Sequence, residues 1–144
     1  YGTYVGKMDI LSSLSTLSFD KRRSEFFTNE LLILLKLIDT NKVDDVYCIS
    51  VNDHFVMNAW GKDLGLKKIT LLPDGSGSIT RQLGMLVDKP AQNFGQRSWR
   101  YSSYIVNGIV KKMFIEPGIN NTSADEDPYE ESTPEKILDY VKSL

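Results

Sequence analysis

The sequence predicts an α/β domain in which a mixed β-sheet is flanked by helices. From Val46 onward, short β-branched and aromatic runs alternate with segments of helical periodicity. Further on, two apolar-rich runs flank Asn107-Gly108. This pair is typical of a tight β-hairpin, because both residues tolerate positive φ. Strands joined through helices and then a hairpin together indicate a mixed sheet.

The clearest unit is a strand that runs directly into a helix. Residues 46–51 read Val-Tyr-Cys-Ile-Ser-Val, which is typical of a strand buried on both faces. Asn52-Asp53 follows, and either side chain can cap a helix by accepting a backbone N–H. Apolar residues then recur at helical spacing. We therefore predict a strand at Val46–Val51 and a helix at Asp53–Leu64, with Gly65 ending it.

The remaining elements are bounded by turn residues or by changes in periodicity. In chain order they are a strand at Lys68–Leu72, a turn at Pro73–Gly77, a short helix at Ile79–Leu86 that Gly84 interrupts, a loop at Lys89–Gly95, strands at Trp99–Val106 and Ile109–Ile115, an acidic loop at Asn120–Glu131, and a C-terminal helix. That last helix begins with a cap and a proline at Ser132-Thr133-Pro134. The order β-α-β-α-β-β-α is the layout of a thioredoxin-like three-layer sandwich.

The first 42 residues give weaker signals and make the N-terminal part atypical. Serines interrupt the leucines of the first 20 residues, so only a weak helical stripe is predicted there. A helix is predicted at about 24–38, and residues 31–35 are nearly apolar all round it. We expect a divergent segment, 1–42, followed by one domain, 43–144. The chain begins at Tyr1 rather than Met, which leaves open a piece before it.

Composition excludes several function classes. The 144 residues carry a net charge of −2, which gives no reason to expect nucleic-acid binding. One cysteine excludes an internal disulfide, and one histidine leaves zinc without enough ligands. No apolar run reaches membrane-spanning length, and no signal peptide is recognisable. We therefore expect no metal or other cofactor and a cytoplasmic location, with an organelle not excluded.

Six blocks of sequence between Tyr47 and Gly118 form a pattern. They are Tyr-Cys-Ile-Ser-Val-Asn-Asp at 47–53, Phe-Val-Met-Asn-Ala-Trp at 55–60, Leu-Pro-Asp-Gly-Ser-Gly at 72–77, Gly-Met-Leu-Val-Asp-Lys at 84–89, Phe-Gly-Gln-Arg-Ser-Trp-Arg-Tyr-Ser at 94–102, and Met-Phe-Ile-Glu-Pro-Gly at 113–118. In this order they resemble the redoxin branch of the peroxiredoxins, especially its glutathione- or glutaredoxin-linked subgroup. The resemblance runs from about Val43 to the C-terminus.

The resemblance implies a thioredoxin-like fold and a thiol peroxidase activity. Such an enzyme reduces hydrogen peroxide or an alkyl hydroperoxide through a peroxidatic cysteine in a Pro-x-x-x-Thr-x-x-Cys loop. An external thiol then restores the cysteine, from glutathione and glutaredoxin or from thioredoxin, and a homodimer is possible. Arg100, in Trp-Arg-Tyr-Ser at 99–102, matches the family's active-site arginine. A guanidinium within a largely apolar strand needs a partner, which also favours a functional role.

The chain departs from the family at the cysteine loop. No Pro-x-x-x-Thr-x-x-Cys is present, and no proline or cysteine precedes Cys48. Cys48 is the only thiol, and a cysteine within a buried strand usually behaves as a small hydrophobic residue. We expect it to be structural and the chain to be inactive or incomplete as a peroxidase. The alternatives are a non-catalytic redoxin-fold module for interaction or dimerisation, and partner or membrane-surface binding by the helix at 26–38.

Four other candidates have simpler explanations. His54 beside Asp53 suggests a catalytic triad, but neighbouring side chains on a helix point apart. The run Gly75-Ser76-Gly77 suggests phosphate binding, and a turn explains it equally. Arg97 is predicted to be a surface or dimer-contact residue. The acidic loop could bind a cation weakly, although a solvated loop is the simpler interpretation.

Overall fold

The computed structural model describes residues 3–8, 43–90, 93–119 and 129–144, the first of these by its backbone. In chain order the elements are β1 (Thr3–Met8), β2 (Val46–Ser50), α1 (His54–Asp63), β3 (Ile69–Pro73), α2 (Ser78–Gln82), β4 (Leu86–Lys89), β5 (Gly95–Ser98), β6 (Tyr101–Val106), β7 (Ile109–Ile115) and α3 (Pro134–Lys142). The helix predicted at about 24–38 lies outside the described residues.

The described strands form a mixed sheet and a smaller hairpin. The sheet has the order β3-β2-β1-β6-β7. Strands β1 and β2 are parallel, as are β2 and β3, whereas β6 is antiparallel to both β1 and β7. Strands β4 and β5 pair with each other as a separate antiparallel hairpin. The predicted α/β class with a mixed sheet is confirmed.

Strand β1 was not recognised from the sequence. Only a weak helical stripe was predicted over the first 20 residues, yet Thr3–Met8 is a strand within them. It lies between β2 and β6, where Gly6 faces Tyr47 on one side and Ser103 on the other. The run Thr-Tyr-Val at 3–5 has high β-propensity. The glycines on either side masked that signal, since glycine weakens a strand.

Local signals predicted α1 and the β6–β7 hairpin correctly. The Asp53 side chain accepts a hydrogen bond of 2.9 Å from the Val56 N–H and so caps α1. Gly65 has a φ of 64° just beyond the helix, as a C′ residue does. At the hairpin, Asn107 and Gly108 have φ values of 51° and 77°. Both are positive, as a type I′ turn requires.

Between residues 79 and 98 the predicted helix is too long, and two short strands were missed. The helix expected at Ile79–Leu86 ends at Gln82, because Gly84 adopts a φ of 74° that a helix cannot continue. Leu86 instead begins β4, and β5 overlaps the predicted loop only at Gly95, its other residues having been assigned to no element. These strands have four residues each, too short for their alternation to be recognised.

The C-terminal helix packs its predicted face into the core. Ile137, Leu138 and Val141 are buried, and Ile137 and Val141 are completely so. Each fully buried aliphatic side chain of this kind contributes about 1.5–3 kcal/mol. Tyr140 also contacts the rings of Tyr104 and Phe114 edge-on, with centroids 5.9 and 6.0 Å away. Helix α3 is therefore fixed against β6 and β7.

Within the described ranges, no helix combines the length and the apolar character that crossing a membrane requires.

Candidate active site

Arg100 lies between β5 and β6 with its side chain half-buried. Its guanidinium carbon is 5.0 Å from the centre of the Tyr129 ring, within the range of a cation–π contact. Its carbonyl oxygen accepts a hydrogen bond of 3.2 Å from the Glu116 N–H. The backbone and the side chain of Arg100 are thus both in contact with the segments that follow β7.

The residues before Arg100 are held firmly in place. Trp99 is buried, its N–H donates to the carbonyl of Met85 at 2.6 Å, and its indole Nε1 donates to the carbonyl of Glu116 at 2.8 Å. The Ser98 hydroxyl donates to the carbonyl of Trp99 at 2.8 Å. Because the buried backbone groups are paired, the residues that lead into β6 cannot shift without losing several hydrogen bonds.

The Glu116 carboxylate is surrounded by hydrogen-bond donors. The N–H groups of Glu130, Glu131 and Ser132 donate to it at 2.7–3.1 Å, and the Ser132 hydroxyl donates at 2.7 Å. The side chain is 1% exposed. Burial on its own raises the pKa of this carboxyl, but the hydrogen bonds from Ser132, Glu130 and Glu131 outweigh it, so the pKa lies below its ordinary value. Glu116 is therefore a buried anion at neutral pH.

Ser102 lies in β6, two residues after Arg100. It is completely buried, and its hydroxyl makes no hydrogen bond within the part of the chain that the structure describes. The start of β6 thus carries a buried hydroxyl close to Arg100 in the chain.

Cys48 occupies a different part of the sheet. It lies in β2 opposite Leu71 of β3 and is 5% exposed. Strand β1 separates β2 from β6, which sets the two strands about 10 Å apart. The Cys48 thiol and Arg100 are therefore associated with different strands of the sheet, β2 and β6.

The other sequence candidates have structural explanations in their local contacts. The Asp53 carboxylate caps α1 through Val56, and the His54 side chain is exposed with its ring against Phe55. At the glycine turn, the buried Asp74 carboxylate already accepts bonds from the N–H groups of Ile79 and Thr80. Contacts within the chain therefore account for this turn.

Arg97 is half-buried rather than fully on the surface. Its guanidinium donates to the carbonyls of Val51 and Gln96, at 3.4 and 2.9 Å. The guanidinium carbon also lies 5.8 Å from the centre of the Phe94 ring. These contacts connect β5 to the end of β2.

An open groove runs between α1 and β3. Its volume is about 500 Å³, and the residues that line it include His54, Lys62, Lys67 and Leu71 but no carboxylate and not Arg100. Across the described ranges, no three His, Cys, Asp or Glu side chains are grouped closely enough to hold a metal ion. The groove is therefore separate from the candidate site.

Glu116 and Tyr129 were not predicted as site residues. Glu116 follows an apolar strand and precedes Pro117-Gly118, so the available signal was a carboxylate at the point where a strand leaves the core. Tyr129 follows the acidic stretch and shows no periodicity of its own. Its contact with Arg100 depends on how the chain returns to the sheet, which local sequence does not specify.

Comparison with known families gives matches to two family models. The Redoxin model matches residues 29–132, starting N-terminal to the boundary expected at about Val43. A second model, the transglycosylase SLT domain, matches residues 1–48. The second match covers a third of the chain and overlaps the first.

The individual relatives agree with the Redoxin match, because they are peroxiredoxins. A peroxiredoxin of Rhizobium etli is 47% identical over 140 residues, which are 97% of this chain and 77% of the relative. A peroxiredoxin of Synechocystis is 51% identical over 100 residues, which are 69% of this chain and 52% of the relative. The chain thus spans about half the length of that second relative.

Solved structures agree in fold over nearly the whole chain. The antioxidant protein of Plasmodium falciparum, a 1-Cys peroxiredoxin, is 28% identical with a TM-score of 0.78, covering 99% of this chain and 80% of that one. A reduced peroxiredoxin of Vibrio vulnificus in complex with hydrogen peroxide is 29% identical with a TM-score of 0.77, covering 98% and 78%. Family model, relatives and fold together show that this chain belongs to the redoxin family and is related to the peroxiredoxins.

Proposed function

We propose that this chain carries the peroxide-binding side of a peroxiredoxin-type thiol peroxidase, with Arg100 as the group that binds the peroxide. The observation that carries the proposal is the fixed position of Arg100, between the Glu116 backbone and the Tyr129 ring. The relative solved with hydrogen peroxide supports a hydroperoxide as the ligand. The substrate class is hydrogen peroxide or an alkyl hydroperoxide.

In the family reaction a thiolate sulfur attacks the terminal oxygen of the hydroperoxide. The O–O bond breaks, the cysteine becomes a sulfenic acid, and an alkoxide or hydroxide leaves and takes up a proton. An external thiol then forms a mixed disulfide and releases water, and a second thiol regenerates the cysteine. Arginine N–H groups stabilise the negative charge that develops on the oxygens, which is the role that we assign to Arg100.

We propose that Cys48 does not provide the thiol for this reaction. That cysteine is the only one in the 144 residues, and its side chain lies within β2 at 5% exposure. A buried thiol of this kind is poorly accessible to peroxide. We therefore expect these 144 residues by themselves to consume peroxide at the background rate.

Peroxide binding at Arg100 is testable without turnover. We expect titration with tert-butyl hydroperoxide to shift the Arg100 Nε–H signal saturably in ¹⁵N NMR spectra, because the guanidinium donates to the peroxide oxygens. Arg100→Lys should abolish saturable binding, whereas Arg97→Lys, the matched control in the preceding strand, should retain it. An unchanged Arg100 signal, or an equal response from Arg97, would refute the proposal.

A peroxide-consumption assay tests the role of Cys48. Hydrogen peroxide should disappear at the same background rate with the wild type and with Cys48→Ser, whether the reductant is glutathione with glutaredoxin or thioredoxin. Turnover that depends on Cys48 would instead make this residue the nucleophile. Background turnover together with no hydroperoxide binding would favour the alternative, a non-catalytic redoxin-fold module for interaction or dimerisation.

The reductant, the assembly and the location belong to the same proposal. The family relationship supports an external thiol reductant, for which we propose glutathione with glutaredoxin or thioredoxin, and a homodimer. We also propose a cytoplasmic location and a segment of divergent sequence, 1–42, before the redoxin-like part, 43–144, with β1 of that segment contributing a strand to the same sheet. Sedimentation equilibrium of the whole chain tests the homodimer, which a monomer at micromolar concentration would contradict.

A further inference from the structure

We propose that Glu116 is a positioning residue that sets the geometry of Arg100 by holding the segment that carries Tyr129. This rests on the proposed function only in that Arg100 is the group proposed to bind peroxide. The coupling between Glu116, Tyr129 and Arg100 is a matter of contacts within the chain. It can therefore be tested whether or not peroxide binds.

The first step is the convergence of donors on one carboxylate. Three consecutive backbone N–H groups, at Glu130, Glu131 and Ser132, and the Ser132 hydroxyl all donate to Glu116. A buried carboxylate is costly unless such donors replace its water. Neither Glu130 nor Glu131 contributes its own side chain to these bonds, so the specificity lies in the backbone. Glu116 thus fixes the path of this segment through three backbone N–H groups together with the hydroxyl of Ser132.

The second step is the position of Tyr129 in the same segment. It directly precedes Glu130, whose N–H donates to both carboxylate oxygens at 3.0 and 3.1 Å. The Tyr129 ring lies 5.0 Å from the Arg100 guanidinium carbon. Because the next residue is anchored, the ring is held over the guanidinium rather than free to turn toward solvent.

The third step is that Glu116 also contacts Arg100 through the backbone. Its N–H donates to the Arg100 carbonyl at 3.2 Å, and its own carbonyl accepts from the Trp99 indole at 2.8 Å. One residue therefore fixes both the backbone of the arginine and the ring stacked on its side chain. A guanidinium stacked on a ring is restricted in orientation, which presents its N–H groups to a ligand in a defined direction.

A purely structural role for Glu116 makes a different prediction. The anchored segment leads into α3, so the carboxylate could serve only to dock that helix on the sheet. In that case its removal would loosen residues 130–132 without changing the surroundings of the guanidinium. A readout at Arg100 itself separates the two roles.

The decisive variant is Glu116→Gln, which keeps the shape of the side chain but replaces one acceptor oxygen by a donor amide. We expect hydrogen exchange at the amides of 130–132 to accelerate by about ten- to a hundredfold, the effect of losing one hydrogen bond to a charged group. The ring-current shift of the Arg100 Nε–H signal should diminish. The dissociation constant for tert-butyl hydroperoxide should rise about two- to fivefold, the loss expected for one cation–π contact.

Two further variants control the experiment. Tyr129→Leu removes the ring but leaves the hydrogen bonds to the Glu116 carboxylate. It should therefore reproduce the changes in the Arg100 signal and in hydroperoxide affinity, while the amides of 130–132 stay protected from hydrogen exchange. Glu135→Gln, an exposed carboxylate in the first turn of α3, should change neither readout. If Glu116→Gln does not fold, Ser132→Ala removes a single donor and should produce the same changes at smaller size.

The outcomes are distinguishable. Faster exchange at 130–132 with an unchanged Arg100 signal would overturn the positioning role and leave Glu116 as an anchor for α3. A wild type that shows the Tyr129 ring-current shift but no hydroperoxide binding would refute the proposed function alone. Loss of the Arg100 shift in both Glu116→Gln and Tyr129→Leu would support the coupling in either case.

Discussion

The ionisation of Glu116 is coupled to folding, because its hydrogen-bond donors converge on it in the folded chain. Burial alone raises the pKa of this carboxyl, and the donors from 130–132 more than compensate, so its folded pKa lies below the ordinary value of 4.5. The folded state thus favours the anion more than the unfolded chain does. This contribution to stability is complete above pH 4.5 and is lost as the pH falls through the lowered pKa.

Replacing Glu116 by Gln should therefore change both the stability and its dependence on pH. At pH 7 we expect the free energy of unfolding to fall by about 1–3 kcal/mol, the cost of leaving buried donors unpaired. Below pH 4.5 the loss of stability on acidification should be shallower in the variant than in the wild type. Urea titrations at pH 7 and at several values below 4.5 measure both effects, and parallel curves would contradict the assignment.

At the level of elements, the parts that were predicted correctly are those with signals in adjacent residues. Helix α1 follows an acidic cap and is followed by Gly65 just beyond its end, and the β6–β7 turn is marked by Asn107-Gly108. Strands β4 and β5 have no such signal, since each is held mainly by the other. Arg100 was predicted from its motif, whereas its contact with Tyr129 joins residues far apart in the chain, which no local signal predicts.

The cap of α1 can be tested on its own. Asp53→Ala removes the acceptor for the Val56 N–H, and we expect the free energy of unfolding to fall by about 1 kcal/mol. Asp53→Asn keeps a capping oxygen and is the matched control, with a much smaller loss expected. Chemical denaturation of the three proteins provides the comparison. Equal losses in Ala and Asn would show that the charge of Asp53, rather than its cap bond, stabilises the helix.

At the level of the whole molecule, the sheet depends on β1, a strand that the sequence pattern did not predict. Strand β1 has neighbours on both sides, one parallel and one antiparallel, that lie at least 38 residues away in the chain. No local pattern encodes pairing over such separations, and the glycine at position 6 obscures the β-propensity around it. Among the described strands, β1 is the link between the parallel pair β2–β3 and the antiparallel pair β6–β7.

The role of β1 predicts a contrast between two proline substitutions. Gly6→Pro places a residue without an N–H in the strand between β2 and β6, where proline is not tolerated, and we expect cooperative unfolding to be lost. Lys111→Pro is the control. Lys111 lies where the β6–β7 register shifts, in a strand at the edge of the described sheet. Proline is accepted at edge strands and bulges, so this variant should melt cooperatively at a modestly lower temperature. Thermal unfolding followed by circular dichroism distinguishes them, and a cooperative transition in Gly6→Pro would show that the two halves of the sheet hold together without β1.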